Sequence, residues 1–146
     1  MKDLANSIVA AASLDAAART ADTNGTGIDL QGFESATVVA MVGAEGITLD
    51  GSNFIEMVLQ HSDDDSTYTD VTSSTDVVDG TVSAAGVFAT FDDNAEAPAV
   101  ATIGYVGGKR YIRVQDERTG THGTATPTAA IVIKGHPHHT ADSDGS

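Results

Sequence analysis

The chain has no cysteine and no tryptophan, and only four Phe and three Tyr among its 146 residues. Without Cys there is no disulfide framework, no zinc–thiolate centre and no thiol nucleophile, and the redox compartment stays open. With so few rings the core must come from Val, Ile, Leu, Met and Ala, and a chain of one domain's length can still bury one. Positive charge is the next scarcity: seven Lys and Arg stand against 21 Asp and Glu, a formal net charge of -14. An acidic surface repels phosphates instead of releasing their counterions, so neither naked nucleic acid nor an anionic membrane is an expected partner. No apolar run approaches the roughly 20 residues that cross a bilayer as a helix. The start, "MKDLANSIVAAASLDAAA", is interrupted by Asp3 and Asp15 and does not read as a signal peptide.

What is present is strand and turn. Fifteen glycines and many Thr and Ser indicate short strands joined by turns. Residues 1–20 are rich in alanine, the best helix former. Their large apolar residues, Leu4, Ile8, Val9 and Leu14, are too few to anchor a helix, so an N-terminal arm or a first strand is expected there. Asn24-Gly25 and Asp50-Gly51 are turn dipeptides. "SATVVAMVG" (35–43) is β-branched and ends on glycine. In "NFIEMVLQ" a period of two puts Ile55, Met57 and Leu59 on a core face. Val87, Ala89 and Phe91 would likewise share a face, and Ile112 and Val114 point inward with Lys109, Tyr111, Arg113 and Gln115 outward. "TAAIVIKG" (128–135) is the last strand. The expected fold is all-β: an antiparallel β-sandwich or jelly-roll-like domain of about 7–9 short strands. It would span residues 21–135, with a polar C-terminal tail at 136–146.

Several residues invite chemistry. "HSDDDS" (61–66) is the tip of a hairpin, and Asp and Ser favour turns through their own hydrogen bonds. Asp63, Asp65 and Thr67, at alternate positions, also offer hard oxygens of the kind calcium prefers. The loop lacks the glycine after the third ligand and the closing Glu of a calcium loop, so the turn reading comes first and calcium second. His136, His138 and His139 form a short imidazole tract in the tail, which is weak compositional support for a metal. His61 and His122 face no recognisable nucleophile. There is no G-x-S-x-G, H-E-x-x-H, phosphate-binding loop or dinucleotide fingerprint, so neither an enzyme nor a cofactor is expected.

Four of the seven basic residues, Lys109, Arg110, Arg113 and Arg118, fall within ten positions. Two readings stand side by side. They neutralise the domain's own carboxylates at about 0–1 kcal/mol each, or with Tyr111 they form a docking face for an acidic patch on a partner or an identical subunit.

"LQHSDDDSTYTDV" (59–71), "GGKRYIRV" (107–114) and "AAIVIKGHP" (129–137) resemble, in order and spacing, a group of small structural proteins of tailed bacteriophages and prophages. "AARTADTNGTGIDLQGFESATVVAMVG" fits the same pattern, so the resemblance covers roughly residues 16–137. It implies a virion structural protein, most like a capsid decoration (cement) protein on the outer surface of the head, bound to the major capsid protein. It also implies a closed homo-oligomer, with a trimer as first guess, and carries over no catalytic residue. A tail or head–tail connector subunit and a virion module that binds glycans or a host surface are the alternatives. The missing Trp weakens the glycan reading, since sugars stack on aromatic faces.

Overall fold

Strand patterning decides the layers. In "NFIEMVLQ", Ile55, Met57 and Leu59 are fully buried at 0 % exposure, and so are Ile112 and Val114 across from them. The computed structural model describes residues 3–138. They form eleven strands: β1 (Ile8–Arg19), β2 (Thr23–Asn24), β3 (Ile28–Asp29), β4 (Phe33–Val42), β5 (Phe54–Ser62), β6 (Thr69–Asp70), β7 (Val77–Val78), β8 (Val87–Phe91), β9 (Ala99–Tyr105), β10 (Tyr111–Thr119) and β11 (Thr126–Pro137). The first sheet runs β1-β11-β4-β9-β7; in the second, β10 and β5 are central, with β2 and β3 flanking β10 and β6 and β8 flanking β5. Every pairing is antiparallel. The chain is thus a β-sandwich. Four of its strands are only two residues long, too brief for a periodicity to register.

From β4 onward the chain passes repeatedly between the two sheets, so sheet neighbours are distant in sequence, and the first strand pairs with the last. The core lies between Val38, Ala40, Ala130 and Val132 on one side and Ile55, Met57, Leu59, Ile112 and Val114 on the other. Each large side chain buried this way contributes about 1.5–3 kcal/mol.

Of the readings for the start of the chain, strand prevails. Residues Ile8–Arg19 are committed to the molecule's own first sheet through β11. A bulge at Ser13 then ties that sheet to the second. The Ser13 hydroxyl accepts from the Val114 amide (2.9 Å) and donates to the Thr26 carbonyl (3.0 Å), while the Thr26 amide donates to the Ser13 carbonyl (2.7 Å). Asn24-Gly25 is therefore a contact, not a hairpin turn. A Cβ at Gly25 would sit 2.4 Å from the Val114 carbonyl oxygen and 2.5 Å from the Ser13 hydroxyl. Asp50-Gly51 does turn the chain, with Asp50 and Asn53 exchanging both backbone hydrogen bonds. β11 carries the sheet to Pro137, two residues past the expected boundary. The rest of the expected polar tail, residues 139–146 with His139, lies outside the described residues.

Candidate functional site

β5 and β11 end, and β4 and β10 begin, at the same end of the sandwich. Loop residues close around them there. The Lys109 ammonium pairs with Asp63. The Arg110 guanidinium forks onto both oxygens of Asp29 (2.9 and 2.7 Å) and holds that carboxyl down at about 2, against the upward push of burial. Lys134 donates to the Asp29 carbonyl (3.0 Å) and lies 4.6 Å from the centre of the Phe33 ring. The Tyr105 hydroxyl accepts from the Lys109 amide (3.2 Å) and bonds His61 Nδ1 (3.0 Å). Burial is the main reason the His61 imidazole titrates below its ordinary value. An open cleft of about 430 Å³ results, lined by Leu30, Phe33, Glu34, Tyr105, Lys109, Arg110 and His138 among others.

The aspartate run is a turn whose three carboxylates point to different tasks. Asp64 caps it, accepting from the Ser62 hydroxyl (2.9 Å) and the Ser66 and Thr67 amides (2.9 and 2.8 Å), which lowers its pKa. Asp65 adopts a left-handed backbone (φ 57) and accepts from the Tyr68 hydroxyl. Asp63 takes Lys109. Asp63, Asp65 and Thr67 therefore do not converge on one point, and among the described residues no group of three or more His, Asp or Glu is arranged to hold a metal ion. His136 bonds the Ser35 hydroxyl (2.7 Å) and His138 faces Glu34 at 3.6 Å, so these two imidazoles are directed to separate partners.

The basic residues divide. Lys109 and Arg110 remain 41 % and 45 % exposed beside Tyr111 at the cleft end. Arg113 lies on the outer face of the second sheet, donating to the Gln60 side-chain oxygen Oε1 (2.8 Å) with its guanidinium 4.1 Å from the Tyr68 ring centre. Arg118 is different: its side chain is 1 % exposed and its partner Asp116 is 0 % exposed. Asp116 receives the Arg118 fork (2.9 Å twice) and the Thr128 hydroxyl (2.5 Å), and Arg118 also donates to the carbonyls of Arg19 (2.8 Å) and Thr126 (3.2 Å). Arg118 thus offers nothing to a partner; it links the two sheets at the end opposite the cleft.

The two outer faces contrast. On the second sheet, Glu117 lies opposite Glu56, and Arg113 opposite Gln60, which in turn faces Asp70. On the first sheet, the outward rows read Ala10–Ile133–Thr37–Gly104–Val78, Ala12–Ile131–Val39–Thr102 and Ala129–Met41–Val100. No charged residue occurs in these rows, although 19 % of the chain is charged. Met41 is 39 % and Val100 64 % exposed. Sequence reading passed over this face. Its signal was the unbroken apolar runs of "ATVVAMV" and "AAIVI", which mark strands with neither side clearly wet.

Fold and surfaces together define a two-layer antiparallel sandwich with one charged and one uncharged broad face and a cleft at one end. Comparison with known proteins adds no relative: no family model, no curated protein and no solved structure matches the chain.

Proposed function

We propose that the chain is a structural protein of a tailed-phage virion, decorating the outer surface of the capsid by binding the major capsid protein. One observation carries the reading. The three segments that bear the resemblance, far apart in sequence, come together at the cleft end, where Lys109 meets Asp63 and β11 reaches Pro137. That end offers a concave cleft lined by the apolar Leu30 and Phe33 together with Glu34, Lys109, Arg110 and His138, a mixture of apolar and polar groups of the kind protein partners use. The Arg110–Asp29 pair is half-exposed, so its guanidinium is within reach of a partner's carboxylate. Lys109, Arg110 and Tyr111 form the docking edge, with Arg113 at its flank. The net charge of -14 suits a position outside a DNA-filled shell. A protein that binds only the assembled lattice stabilises it by mass action.

The test is cosedimentation with expanded capsids that lack the chain. Saturable binding and a raised melting temperature of the shell are expected, with affinity falling at least tenfold for the Lys109→Glu/Arg110→Glu pair. No saturable binding by the wild-type chain would overturn the reading. Rings or stacks of the isolated protein in negative stain would move it to the tail or connector, and glycan-array hits to a surface-binding module.

A further inference from the structure

The uncharged outer face of the first sheet has a shape as well as a composition. Met41 stands between two shallow apolar depressions. One, of about 350 Å³, is lined by Ala16, Ala18, Pro127 and Ala129 on the β1/β11 side; the other, of about 440 Å³, is lined by Pro98 and Val100 on the β9 side. A ridge beside its own hollow is complementary to a copy of itself turned about a two-fold axis. We propose that this face joins two copies of the chain, sheet against sheet, with Met41 of each copy seated in the alanine-lined hollow of the other. The inference goes beyond the capsid-binding reading and uses a different surface.

Three considerations select a second copy as the occupant. The first is charge. Two molecules of net charge -14 repel through most orientations, and the charged face of the second sheet would set Glu56 and Glu117 against their equivalents. The uncharged face brings no like charges into contact. The second is area. Strands of 12, 12, 10 and 7 residues make up β1, β11, β4 and β9. At about 4.8 Å between strands and about 3.3 Å per residue they present a footprint of roughly 650 Å². Two such faces bury roughly 1,300 Å², inside the range of stable specific interfaces.

The third is the blocked edge. Arg19 donates to the β1 carbonyls of Asp15 (2.6 Å) and Ala17 (3.2 Å), and Thr26 occupies the Ser13 carbonyl. Strand addition along the Ser13–Ala17 stretch of β1 is thereby obstructed, which favours face-to-face packing for the first sheet. Such a contact is isologous and joins copies in twos.

Sedimentation equilibrium on the full chain tests this. The wild type is expected at about 30 kDa, twice the 14.9 kDa of one chain, and to remain dimeric at 0.5 M NaCl, where a charge-driven pair would weaken. Met41→Asp and Val100→Asp are expected to sediment as monomers with unchanged circular dichroism, whereas Thr90→Asp on the opposite sheet stays dimeric. Should the aspartate variants misfold, a nitroxide on Thr37→Cys, in this Cys-free chain, reads the contact directly as one intermolecular dipolar distance. A monomeric wild type, a dimer indifferent to Met41→Asp, or no intermolecular distance overturns the proposal. Capsid binding measured on the same samples separates the two readings. A monomeric wild type that still binds shells leaves the capsid reading standing, and if Met41→Asp then abolishes that binding, the face belongs to the shell and not to a second copy.

Discussion

Asp116 and Arg118 carry the largest single-residue stake in the fold. Both are removed from water, so the pair holds only because each charge meets the other, the Thr128 hydroxyl donates to Asp116, and the remaining Arg118 donors meet the Thr126 and Arg19 carbonyls. Deleting one partner strands the other. Asp116→Ala is expected to cost about 3–5 kcal/mol in urea unfolding. The Asp116→Leu/Arg118→Met double replacement is expected to cost less than that single change, because no buried charge is left behind. A double variant no more stable than Asp116→Ala would contradict this account of the pair. The placement was legible: "YIRVQDER" alternates, and the period that sends Ile112 and Val114 inward sends Asp116 inward too. The same period sends Arg118 inward as well; what the alternation leaves out is the network that satisfies it, because the groups that finish it come from β1 and β11. The tasks of Asp63 and Asp65 depended in the same way on Lys109 and Tyr68, which only the folded chain brings beside them.

At the scale of elements, β10 and β5 contain a conflict. Glu117 and Glu56 face each other directly, with Asp22 and Asp70 near, and burial together with these charges raises the Glu117 pKa. The sign follows. A carboxyl whose folded pKa lies above its unfolded value binds more protons in the native state between the two, so stability falls as pH rises through that window. Glu117→Gln is therefore expected to stabilise the protein by about 0.2–1 kcal/mol at pH 7, with the gain shrinking as pH falls toward the unfolded Glu value of about 4.3. Thermal melts of both proteins across that range check it, and a gain that grows on acidification would contradict the account. Asp29 works in the opposite sense: its stabilisation is present above its unfolded pKa and is lost as pH falls toward about 2. The central strands β5 and β10 could be read from sequence because their alternation is wet on one side. β1 was legible only as an arm or a first strand, since its alanines carry no alternation and the pairing with β11, more than 100 positions on, decides between the two.

At the scale of the molecule, topology and charge set the behaviour. The chain passes repeatedly between the sheets and the first strand pairs with the last, so most native contacts close long loops and refolding belongs in the millisecond-to-second range of non-local β proteins. The excess of acids makes self-repulsion a general load, and moderate salt is expected to raise the melting temperature by screening it. A melting temperature that fell with added NaCl would instead show that attractive pairs such as Arg110–Asp29 dominate the balance. The class of fold was legible in turn signals and β-branched runs; the uncharged face left only the apolar runs of β4 and β11 as its signal, and its extent depends on strand order.

The measurement that bears most directly on the whole account is an electron-microscopy map of the intact virion. Density for this sandwich is predicted on the exterior of the head, its cleft end with Lys109 and Arg110 turned toward the shell. Density for it inside the shell against the packaged genome, or in the tail, would contradict the account.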